Sequence, residues 1–135
     1  MTGRIKRLPV KEHDIQAMVI QWANLEGQFL PELLLLYAVP NAAVGTARAF
    51  LPEKFWYNLK RMFYKEGLKP GVPDLFLPVA RGGYHGLYIE MKTPTGRLSK
   101  EQTWWLDQLT QQGYFCRVCY GFDEALNLIK DYLKL

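Results

Sequence analysis

Gly71-Val-Pro-Asp-Leu-Phe-Leu-Pro-Val-Ala-Arg-Gly-Gly-Tyr-His-Gly-Leu-Tyr-Ile-Glu-Met-Lys92 reads as two strands joined by a tight loop. Asp74 to Pro78 is the first strand, Arg81-Gly-Gly83 the hairpin loop, and Gly86 to Lys92 the return strand. Side chains alternate along a strand, so Leu87, Ile89 and Met91 point one way and Tyr88, Glu90 and Lys92 the other. Glu90 and Lys92 therefore share a face, and Asp74 starts the neighbouring strand. Two carboxylates and an ammonium can converge at one edge of a sheet.

Hydrolysis of a phosphodiester calls for that set. Mg²⁺ prefers oxygen ligands and keeps several of its waters, and Asp74 and Glu90 offer two carboxylates. A bound cation polarises a phosphoryl oxygen and acidifies water, and Lys92 can orient that water or stabilise charge on the phosphate. Either half is ordinary alone: Asp favours turns, and Glu-x-Lys suits a half-exposed strand. Their occurrence on consecutive strands, around a Gly-rich hairpin with apolar flanks, is what points to chemistry.

Working outward, a helix is expected from Lys11 to Asn24, with Ile15, Met18, Val19 and Trp22 facing the core. Glu32 to Val39, nearly all leucine, reads as a buried strand. Residues 41 to 51 read as small and flexible, with Gly45 and Arg48. A second helix runs from Pro52 to Glu66, its apolar face being Phe55, Leu59, Met62 and Phe63. Lys54, Arg61 and Lys65 fall together on another face, suited equally to solvent or to a phosphate backbone. Lys69 follows in the turn. Ser99 opens a third helix, to about Gln112, through the capping box Ser99-x-x-Gln102. Phe115 to Tyr120 is a further strand and Asp123 to Leu133 a last helix, with Ala125, Leu128, Ile129 and Tyr132 inward. The order αβαββαβα argues for an α/β fold, a mixed sheet flanked by helices.

The 135 residues suit a single domain over 11–135, preceded by a basic arm, residues 1–10, with Arg4, Lys6 and Arg7. No apolar run reaches the roughly 20 residues of a membrane span, and no apolar segment follows the N-terminal charges, so a cytoplasmic location is expected, in a bacterium or an infected host cell. A net charge of +4 permits an acidic partner without demanding one. Cys116 and Cys119 are spaced as a zinc or redox pair, but no second cysteine pair exists. An odd offset on a strand also sends them to opposite faces. Buried free thiols are expected, and no structural zinc.

Taken together, these motifs resemble the VRR-NUC nucleases, a branch of the PD-(D/E)xK superfamily. The resemblance runs through Glu12 and Gln16, Val39-Pro-Asn41, Gly71-Val-Pro-Asp-Leu75, Ile89-Glu-Met-Lys92, Ser99-x-x-Gln102 and Val118-Cys-Tyr-Gly121. It departs at the strand that gives the family its name, here Cys116-Arg-Val-Cys119. The resemblance implies a restriction-endonuclease-like core and a metal centre of Mg²⁺ or Mn²⁺ held by Asp74, Glu90 and the Met91 backbone carbonyl. Lys92 would be the catalytic lysine, Glu12 would reach a second metal, and Gln102 would face the active site. Glu12 could otherwise serve only the helix N-terminus, and Gln102 only its capping box. The stand-alone form of phages and bacteria implies a homodimeric endonuclease acting on branched DNA such as four-way junctions. Trp104, Trp56 and Tyr57, near polar helix faces, are candidates for partner surface. The rival expectations are a catalytically idle nucleic-acid-binding module and a nuclease with another DNA substrate.

Overall fold

The period-two pattern of residues 74–92 becomes the centre of a four-stranded sheet. The computed structural model describes residues 11–135; Arg4, Lys6 and Arg7 of the expected arm lie outside the described residues. The elements are α1 (Glu12–Glu26), a 3₁₀ turn (Pro31–Leu35), β1 (Tyr37–Ala38), α2 (Asn41–Ala47) and α3 (Glu53–Lys65). There follow β2 (Leu75–Leu77), β3 (Leu87–Lys92), α4 (Lys100–Gln111), β4 (Phe115–Tyr120) and α5 (Phe122–Leu133). The sheet order is β1-β2-β3-β4. β1 and β2 are antiparallel, as are β2 and β3, while β3 and β4 run parallel across the α4 crossover. A mixed sheet flanked by helices is thus the fold.

The two sheet faces differ in chemistry. Leu75, Leu77, Leu87, Ile89 and Met91 are fully buried against Val19 and Ala23 of α1 and Ala125, Ile129 and Tyr132 of α5. Burial of this apolar set is the main favourable term for the domain. The alternate positions carry a ring cluster, with Phe76 stacked on Tyr88 and Tyr114 edge-on to both, and end in Glu90 and Lys92.

Four local expectations are corrected. Glu32 to Val39 is not a strand: Pro31 opens a 3₁₀ turn, Leu33 N–H bonds Leu30 and Leu36 N–H bonds Leu33, and only Tyr37–Ala38 pairs with β2. A run of leucines carries no period; here burial recurs every three residues, at Leu33 and Leu36, leaving Leu34 and Leu35 exposed. Residues 41–47 form α2, where alanines supply helix propensity that outweighs Gly45. On α3 the buried residue is Trp56, 6% exposed, whereas Phe55 is 60% exposed and Met62 is also exposed. Trp56 donates Nε1–H to the Val44 carbonyl at 2.8 Å, and Arg48 and Lys60 stand 4.7 Å and 4.9 Å from its ring. Trp56 therefore ties α2 to α3 and is not partner surface. On α1 the inward stripe is Ile15, Val19 and Ala23, while Met18 is 45% exposed. Among the described residues, no helix is long and apolar enough to cross a membrane.

Candidate active site

Asp74 is set in place by the turn before it. Val39 N–H bonds the Asp74 carbonyl at 2.8 Å, and Asn41 Nδ2 donates to the Val72 carbonyl at 3.4 Å. From the other side α4 closes in, Trp105 Nε1 donating to the Pro70 carbonyl at 3.0 Å. Gly71 makes that approach possible. Its φ is +89°, and a Cβ there would lie 2.6 Å from the Glu101 backbone carbonyl carbon. Glycine tolerates the left-handed conformation, and the absent side chain leaves the space α4 occupies.

Leu75 pairs with Ile89, so one step further Asp74 lies beside Glu90. Asp74 Oδ2 accepts the Met91 N–H at 2.7 Å. Glu12, at the first turn of α1, completes the group: one carboxylate oxygen from each of Glu12, Asp74 and Glu90 lies within 4.8 Å of the others. Lys92 Nζ is 3.4 Å from Glu90 Oε1, and Gln102 Nε2 donates to that same oxygen at 2.8 Å. The capping box is formed as expected: Ser99 Oγ accepts the Gln102 N–H, and Gln102 Oε1 accepts the Ser99 N–H. Gln102 thus both caps α4 and faces the site.

Among the described residues the site is acidic and short of positive charge. Glu90 is only 1% exposed, and burial, then the charge of Asp74, pushes its carboxyl up to about 8 against the pull of Lys92. Burial also raises Asp74, opposed by the Met91 N–H and by Lys92. Burial raises Glu12, with Lys92 lowering it and Asp74 adding to the rise. Glu90 Oε2 is buried with no hydrogen-bond partner, an arrangement that costs free energy unless something fills it. Among the described residues three carboxylates face one lysine, all donors are oxygen, and one oxygen is unsatisfied. That donor set fits a hard divalent cation.

A VRR-NUC domain model matches residues 10–123 of the sequence. The chain belongs to the VRR-NUC family. A solved structure described as a VRR_NUC domain protein is similar over 96% of this chain and 93% of its own, at 26% identity and a TM-score of 0.71. No curated protein matches the sequence. The VRR-NUC family is of nuclease type, and the sheet and helices described above are its PD-(D/E)xK-like fold.

Lys54, Arg61, Lys65 and Lys69 are exposed, with Lys69 lining a cavity beside Phe63 and Trp105. Cys116 and Cys119 are buried free thiols, and burial pushes Cys119 up to about 12, so it stays protonated and inert at neutral pH. Gly96 is a residue whose part the sequence does not disclose. The turn Gly96 N–H to Thr93 carbonyl, 2.9 Å, folds back so closely that a Cβ on Gly96 would sit 3.1 Å from Lys92 Cδ. Thr93-Pro-Thr-Gly96 has the composition of a turn, but nothing in it says that the turn confines the Lys92 stem.

Proposed function

We propose that this VRR-NUC domain is a divalent-metal-dependent DNA endonuclease, selective for branched DNA such as four-way junctions and working as a homodimer. The observation that carries it is the convergence of Glu12, Asp74 and Glu90 beside Lys92, with Glu90 Oε2 unsatisfied. Asp74, Glu90 and the Met91 carbonyl would hold Mg²⁺ or Mn²⁺, and Glu12 would share it or hold a second. Such a cation, when bound, supplies Lewis-acid polarisation of a phosphoryl oxygen and lowers the pKa of nearby water. Lys92 orients the attacking water or stabilises charge growing on the phosphate. Gln102 keeps Glu90 in its rotamer from the α4 side. Lys54, Arg61, Lys65 and Lys69, with Arg4, Lys6 and Arg7, would contact the DNA backbone.

Branched substrate and dimer rest on the likeness to stand-alone members of the family. Symmetric resolution of a junction needs two nicks, and the described residues of one chain carry one such cluster. Apolar surface is present for an interface: Leu25, Phe29, Leu34, Leu35 and Tyr37 are exposed from the last turn of α1 to β1, and Tyr57 on α3 and Trp104 on α4 are exposed too. The test is cleavage of labelled linear, flap and four-way DNA with Mg²⁺ or Mn²⁺, alongside light scattering at micromolar concentration. Paired nicks in the four-way substrate by a dimer are expected. Absence of metal-dependent cleavage on every substrate would remove the activity; cleavage by a strict monomer that ignores junctions would remove the substrate and the dimer.

A further inference from the structure

A cavity of about 620 Å³ opens between α1, the turn after β3 and the start of α5. Ile15, Met18, Pro94 and Phe122 give it apolar walls, and Thr93 and Thr95 are the hydroxyl-bearing residues of its lining. Two of its walls continue from the site itself. Ile15 stands three residues after Glu12 on α1, a spacing that puts side chains roughly 5–6 Å apart. Thr93 follows Lys92 directly, and the same turn packs on the Lys92 stem through Gly96.

We propose that this cavity receives one unpaired nucleobase of the strand being cut, next to the scissile phosphate. The inference rests on the nuclease function proposed above and deepens it by naming a substrate feature. None of the lining residues is charged, and the first turn of α5 carries Asp123 and Glu124, so a phosphate is a poor occupant. What adjoins a phosphate along a strand is a sugar and a base. A base has apolar faces that stack on side chains and a polar edge that hydroxyls can bond. The volume lies within the ~300–1,000 Å³ common for small-molecule sites. A base in a continuous duplex is stacked and paired, and extruding it is costly, least so where it is already unpaired. The cavity thus favours DNA with unpaired nucleotides at a branch or gap over intact duplex. It does so with residues that take no part in holding a metal.

The test begins by mapping the cut on a branched substrate and replacing the nucleotide on each side of it, one at a time, by an abasic residue. One replacement should raise KM about tenfold, the scale of a single stacked base, with kcat little changed. Met18→Ala, at an exposed helix position, and Phe122→Ala, at a wall, should raise KM on the intact strand but not on that abasic strand. Variants that weaken both strands alike act through folding, and that result overturns the proposal, as does a KM indifferent to both abasic replacements. Binding of the same strands measured by fluorescence anisotropy without metal gives the same comparison. If no strand is cut, abasic replacements are scanned through the nucleotides flanking the branch point. The nuclease function can then fail while the base site is upheld or refuted on binding alone.

Discussion

Gln102 uses its amide twice, accepting from Ser99 N–H and donating to Glu90. The two uses can be separated. Gln102→Glu keeps an acceptor for the cap and loses the donor, so it should keep most of the helix stability while activity falls about 10–100-fold, the usual cost of losing a partner that orients a metal ligand. Gln102→Ala should lose both. Equal activity in wild type and Gln102→Glu would leave Gln102 as a cap alone. Lys92→Ala should lower kcat by about 10²–10³-fold, the scale of one lost charge-stabilising group, while Mn²⁺ binding by calorimetry persists; lost metal binding with retained activity would contradict its role. For Asp74 the informative variant is Asp74→Asn. Alanine would also strand the buried Met91 N–H, costing about 1–3 kcal/mol, and so mix folding with chemistry.

Elements position these side chains, and the turn ahead of β2 is the tightest of them. Gly71→Ala faces both a positive φ and the Glu101 backbone. It should destabilise by about 1–3 kcal/mol from strain alone, seen as a lower urea midpoint, with activity falling because Asp74 shifts; an unchanged midpoint would mean α4 yields easily. The hairpin, β4, α4 and α5 are legible in the sequence, since each has a clear period or cap: Glu90 and Lys92 share a face by alternation, and Ser99 announces α4. The same logic brings Asp74 to Glu90. It fails where period is missing or equivocal. Leu33–Leu36 is apolar throughout, so only burial at every third residue separates the 3₁₀ turn from a strand. Trp56 turns inward because the Val44 carbonyl lies 2.8 Å from its indole N–H, and that carbonyl belongs to α2, a helix with no apolar period to announce it. Glu12 could be placed only by resemblance, because its approach to Asp74 depends on how α1 crosses the sheet. For α3, Lys54, Arg61 and Lys65 changed together to Gln should flatten the salt dependence of DNA binding by roughly one unit of slope for each phosphate no longer neutralised. An unchanged slope would make this a solvated face.

At the scale of the whole molecule, the acidic cluster couples stability, pH and metal. Glu90 is raised from its usual 4.5 to about 8, and Asp74 and Glu12 are raised as well. A carboxyl raised in the folded state holds its proton while the unfolded chain has released its own. Its contribution to stability is therefore complete below about pH 4.5 and is lost as pH rises towards 8. The metal-free protein should melt at progressively lower temperature across that window, and Glu90→Gln, which cannot ionise, should flatten the decline. Metal acts in the opposite sense. Carboxylates must be ionised to hold a cation, so the rise in Tm from a fixed concentration of Mg²⁺ or Mn²⁺ should be small near pH 5 and grow up to about pH 8. A ligand that binds only the folded state stabilises it in proportion to ln(1 + [L]/Kd), so the Tm gain tracks affinity directly. In Glu90→Gln both the gain and its pH dependence should shrink together. A Tm gain that is the same at every pH, or that survives in Glu90→Gln, would mean the cation binds somewhere other than this cluster.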